Sequence, residues 1–70
     1  MDEQALLHRI SVDTNVNIEL LKDLFHNDEL YTLIMAGKST EAIMKLRDLD
    51  PRVGLREAKM IVEAFSAELK

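Results

Sequence analysis

No cysteine occurs in the 70 residues. Disulfide staples and thiolate metal sites are therefore excluded. Tryptophan is also absent, and the aromatic residues are only Phe25, Tyr31 and Phe65. That is too few for a row of base-stacking platforms, and the two phenylalanines read as core. A single proline and two glycines leave few places for sharp turns. No apolar run approaches the ~20 residues that a membrane span needs. The opening Met1-Asp2-Glu3-Gln4 is acidic, where a secretory leader is basic and then apolar. These absences predict a cytoplasmic protein with no membrane segment.

What is present favours helix. The chain is 47% hydrophobic and 31% charged, a globular balance rather than a disordered one. Leu, Ala, Glu, Lys and Met dominate, and these lose little freedom in a helix. The length implies one domain, residues 1–70. A chain this short buries a small share of its surface and commonly gains stability by oligomerising. A homodimer is therefore expected.

The net charge of −4 is unevenly spread. Residues 1–37 carry seven acids and two bases, a net of −5. Residues 38–59 carry six bases (Lys38, Lys45, Arg47, Arg52, Arg56, Lys59) against Glu41, Asp48, Asp50 and Glu57, a net of +2. Residues 60–70 return to −1. The split reads either as ordinary solvated faces or as two patches of opposite sign that steer partners or pair between subunits.

Periodicity divides the chain into short helices. Asp2 is placed to cap a first helix, with Leu6, Leu7 and Ile10 on its inner stripe. The run Ser11-Val12-Asp13-Thr14-Asn15 offers side chains that compete for the backbone and predicts a break. A second helix starts after Asn17, with Ile18, Leu21 and Phe25 on one face and Leu20 and Leu24 beside them. His26-Asn27-Asp28 is the next weak point. Leu30, Leu33 and Ile34 recur at helical spacing, and Gly37 suits a left-handed stop. The same short apolar stretch fits a strand near 30–35, which would have to pair across a dimer, giving an α+β alternative. Ser39 is expected to cap a further helix with Ala42, Ile43, Leu46 and Leu49 inward. Asp50-Pro51 ends it, because a residue before proline is pushed out of helical geometry. A last helix begins near Gly54, with Leu55, Ala58, Val62, Phe65 and Leu69 at alternating spacings of three and four. That pattern fits an ordinary core-facing stripe, with a short seam between two chains as the alternative. The predicted fold is an all-α bundle of four to five short helices ending in a helix-turn-helix hairpin.

Catalytic and metal motifs are not found. His8 and His26 fall on different predicted elements, and no HExxH spacing exists. Ser11, Ser39 and Ser66 lack the strand-turn-helix elbow of a nucleophile. There is no glycine-rich phosphate loop. The sequence thus predicts no enzyme, no cofactor and no metal. Residues 39–66 do read as helix, short turn, helix, and Arg56 and Lys59 sit where a recognition helix meets base edges. A nucleic-acid-binding regulator is therefore a second option, opposed by the overall acidity.

The stretch Ala42-Ile43-Met44-Lys45-Leu46-Arg47, followed by Gly54-Leu55-Arg56-Glu57-Ala58-Lys59-Met60-Ile61-Val62-Glu63, resembles the helical hairpin in the C-terminal domain of the bacterial ribosomal stalk protein. Arg56 stands where that family has lysine, Met44 where it often has a lysine contact, and Pro51 replaces a glycine-rich turn. A fainter likeness to the start of elongation factor Ts rests on the same Leu-Arg and Lys pattern. In the stalk family the basic hairpin docks translation factors. The resemblance implies contact charges at Arg47, Arg56 and Lys59, with Ile43 and Leu55 as apolar neighbours. The expected function is a small non-catalytic protein-binding module. It would act as an adaptor, a regulator or, in the manner of a small phage or mobile-element protein, an inhibitor of a host factor.

Overall fold

A computed structural model describes residues 2–69. Among these the chain forms five helices and no strand: α1 (Glu3–Thr14), α2 (Ile18–Phe25), α3 (Asp28–Met35), α4 (Ser39–Leu49) and α5 (Leu55–Leu69). The strand alternative for residues 30–35 is thereby overturned. Leu30 and Ile34 lie four apart on a helix and are both buried, a period that a strand would have sent to alternate faces.

Local chemistry sets most boundaries. The Asp2 carboxylate accepts from the Ala5 amide at 3.2 Å and caps α1. Asn15 adopts a left-handed conformation, φ 59°, and its amide donates to the Ser11 carbonyl at 2.8 Å. Asn is among the few non-glycine residues that take this region at low cost. Asn17 and Asn27 then cap α2 and α3, accepting from the Glu19 and Leu30 amides at 2.8 and 3.0 Å. Their side chains satisfy amides that have no helical carbonyl to reach.

Gly37, at φ 78°, ends α3. Its amide donates to the Ile34 carbonyl and the Lys38 amide reaches back to the Leu33 carbonyl, each at 3.0 Å. This paired closure is the Schellman arrangement. It delivers the chain straight into α4, so Lys38 occupies the cap position and supplies no side-chain bond. Ser39 is the first helical residue and not the cap that the sequence predicted.

The core is one cluster to which every helix contributes: Leu6, Leu7 and Ile10 from α1, Leu21 and Leu24 from α2, Leu30 and Ile34 from α3, Ala42 and Leu46 from α4, and Ala58, Ile61, Val62 and Phe65 from α5. α5 is the central element and packs against α1, α3 and α4. Phe65 meets Phe25 edge-to-face, with ring centroids 5.0 Å apart, the geometry that aromatic quadrupoles favour. Ala58, Val62 and Phe65 are thus consumed inside the chain. The seam reading of α5 as a contact between two chains does not hold, because its central residues are already covered.

Two residues expected to point inward do not. Leu49 and Leu55, on either side of the α4–α5 turn, are 42% and 60% exposed. Val53 and Asp50 are buried in their stead. Asp50 is extended before Pro51, as the proline demands. Its carboxylate accepts from the Arg52 amide at 3.1 Å and faces the Arg52 Nε at 3.4 Å. Its own carbonyl accepts from Val53. The turn is therefore closed by its own polar groups, and Val53 is pressed into the core.

Candidate surface on the α4–α5 hairpin

The five residues singled out from the sequence all lie on α4 and α5, which pack against each other. Ile43 and Arg47 are one helical turn apart on α4, as are Leu55 and Lys59 on α5. Arg56 precedes Lys59 by three residues, so both share the neighbouring strip of the same helix. Arg47, Leu55, Arg56 and Lys59 are exposed. Ile43 is half-buried and rests against the core. It supports the surface more than it offers itself.

Ion pairing divides the six bases of this segment into two sets. Lys38 lies 3.9 Å from Glu41, Lys45 2.7 Å from Glu29 on α3, and Arg52 3.4 Å from Asp50. The hydrogen bond that Lys45 donates to Glu29, and then the Glu29 charge, raise the Lys45 pKa above the ordinary lysine value. Arg47, Arg56 and Lys59 make no ion pair among the described residues. The unpaired cations are the same three that the sequence marked as contact charges.

Apolar exposure adds a second property. Met44, Leu49 and Leu55 are 67%, 42% and 60% exposed. Among the described residues, half of the large hydrophobic side chains left in solvent are therefore on this hairpin, the others being Val12, Tyr31 and Met35. Met44 also borders a shallow groove of about 410 Å³ with Leu33, Glu41, Lys45 and Asp48. Sequence reasoning passed over Met44 and misplaced Leu49. The signal for Met44 was available, because it falls off the inward stripe of Ala42, Ile43 and Leu46. For Leu49 there was none, since it continues that stripe and only the turn's geometry withdraws it.

Gly54 matters through close approach. The Glu57 carboxylate lies over its Cα, where any larger residue would place a Cβ. The Gly54 carbonyl accepts from the Ala58 amide at 2.9 Å and starts α5. Glu57 is thus folded back over the helix start, away from the strip that carries Arg56 and Lys59.

Elsewhere, polar chemistry is dispersed. His26 Nε2 lies 2.9 Å from the Glu3 carboxylate, joining the end of α2 to the start of α1. His8 is exposed on α1. Among the described residues no three His, Cys, Asp or Glu side chains gather as a metal site would require. The buried hydroxyl of Thr14 donates to the Ile10 carbonyl at 2.7 Å, and among the described residues no buried side-chain polar atom lacks a partner. No helix among the described residues is long and apolar enough to cross a membrane. No family model, curated protein or solved structure matches the chain.

Proposed function

We propose that the chain is a small non-catalytic protein-binding module of the cytoplasm, an adaptor, regulator or inhibitor, and that the α4–α5 hairpin is its docking surface. The observation that carries this reading is the coincidence of unpaired Arg47, Arg56 and Lys59 with exposed Met44, Leu49 and Leu55 on one pair of helices. Interfaces are enriched in arginine, methionine and large apolar anchors ringed by polar groups. Unpaired cations also lose no internal contact when they meet a partner's carboxylates. The resemblance of residues 39–66 to the ribosomal stalk hairpin points the same way.

Nucleic acid is the second reading, favoured by Arg56 and Lys59 in the first two turns of α5. It is opposed by the net charge of −4 and by Leu55, an apolar residue where a polar base reader is wanted. An affinity capture from nuclease-treated lysate separates the two, run with the wild type and the Arg56→Glu, Lys59→Glu variant. A protein retained by the wild type and lost from the variant supports docking through the hairpin. Equal retention by both removes the hairpin from the reading. Signal that vanishes with nuclease, together with salt-steep binding to duplex, supports nucleic acid instead.

A further inference from the structure

A second surface of opposite character lies on α1 and α2. Their N-terminal halves enclose a groove of about 390 Å³. Ile18, lying over the core residue Leu7, forms its apolar floor, and Asp2, Glu3 and Glu19, together with Gln4, outnumber Lys22 around its rim. Glu3 is held in place from the side by His26, 2.9 Å away. The hairpin offers the complement: Leu55, 60% exposed, with Arg56 and Lys59 beside it and Arg47 on the facing helix.

We propose that this groove receives the hairpin of a second copy of the chain, so that copies associate head to tail. The inference rests on the reading of the hairpin as a docking surface and assigns that surface a second occupant. Of the modes of self-association suggested by the sequence, the strand and the α5 seam are closed, since residues 30–35 are helical and the middle of α5 is buried in its own core, and the pairing of opposite-sign patches is left. Charge complementarity favours the α1–α2 groove as the match, because the excess carboxylates on its rim are opposite in sign to hairpin cations that make no ion pair among the described residues. Half-buried Ile18 opposite the exposed Leu55 adds the burial that gives such a contact residence time. Only seven residues line the groove, fewer than a stable interface presents on each side, so the contact is weak and transient in class. Groove and hairpin are different surfaces, so the contact is heterologous, and each added copy presents another free groove or hairpin.

Sedimentation equilibrium at concentrations up to about 1 mM tests this, the range in which weak contacts populate. Four samples are compared: wild type, the hairpin variant Arg56→Glu, Lys59→Glu, the groove variant Gln4→Lys, Glu19→Lys, and an equimolar mixture of the two variants. All four substituted residues are exposed, and far-ultraviolet circular dichroism verifies that the variants remain folded. The wild type is expected to gain mass with concentration, less so as salt is raised. Each variant alone should associate at least about tenfold more weakly, as like charges replace opposite ones. The mixture should recover association, because each variant supplies the surface that the other lacks. A wild type monomeric throughout, or a groove variant that associates as well as wild type, overturns the proposal. Lysate capture by the groove variant keeps the two readings distinct. Undiminished capture with lost self-association supports both, whereas a monomeric wild type that still captures a partner through Arg56 and Lys59 defeats only the self-contact.

Discussion

Phe65→Ala should bring the chain close to unfolding. Phe65 is 1% exposed, sits on the helix that packs against α1, α3 and α4, and carries the edge-to-face contact to Phe25. Truncating a buried phenylalanine removes its burial and leaves a cavity, together about 3–5 kcal/mol. A chain of this size holds only about 3.5–10 kcal/mol in total, from ~0.05–0.15 kcal/mol per residue. The loss is therefore a third of the stability at the least and all of it at the most. Phe65→Leu retains most of the apolar volume but not the ring contact, and should cost about 1–2 kcal/mol. Urea unfolding followed by the helical signal at 222 nm measures both. The reasoning fails if Phe65→Ala costs less than about 1 kcal/mol, or if Leu and Ala are equally damaging, since the account requires a graded loss centred on α5.

Other expectations follow from the helix ends and the one perturbed base. Gly37→Ala forces a Cβ into a left-handed residue, φ 78°, and should cost about 1–2 kcal/mol in the same urea assay. Asn27→Ala removes the carbonyl that accepts from the Leu30 amide and should cost about 1 kcal/mol, while Asn27→Asp should be nearly neutral. Glu29 raises the Lys45 pKa in the folded chain. The stabilisation is thus fully present below the ordinary lysine value of 10.5 and is lost as pH rises through the raised value. The difference in urea midpoint between wild type and Lys45→Gln should hold steady from neutral pH up to that value and close above it. A gap that persists undiminished into strong alkali would show that the pair does not act through charge.

Much of this fold was legible because helix signals are local. Asp2, Asn17, Asn27 and Gly37 each impose a boundary through their own side chain or backbone freedom, and each boundary lies where the sequence placed it. The inward residues Leu6, Leu7, Ile10, Leu21, Leu30, Ile34, Ala42 and Leu46 follow from the 3.6-residue period alone. Ser39 misled because a Schellman closure two residues earlier leaves no room for a capping residue with free geometry. The strict three-four spacing of α5 skipped Ile61, which is fully buried and lies three residues from Ala58 and four from Phe65. A wider stripe would have found it. Leu49, Leu55, Val53 and Asp50 were beyond reach, since which of them turns inward depends on how the α4–α5 turn folds over the core. The candidate cations were legible as a charge run. That Arg47, Arg56 and Lys59 are the unpaired members of it was not, because the Lys45–Glu29 pair joins residues distant in sequence and only the packing of α3 on α4 brings them within 2.7 Å.

The central claim is that the hairpin captures a protein through unpaired charge, and one paired measurement tests it most directly. Wild type and the Arg56→Glu, Lys59→Glu variant are compared for capture from nuclease-treated lysate and, on the same preparations, for urea stability. Both residues are exposed and make no ion pair among the described residues, so stability should change by no more than about 0.5 kcal/mol. Capture should be lost. A variant that stays folded and still retains the partner would contradict the account.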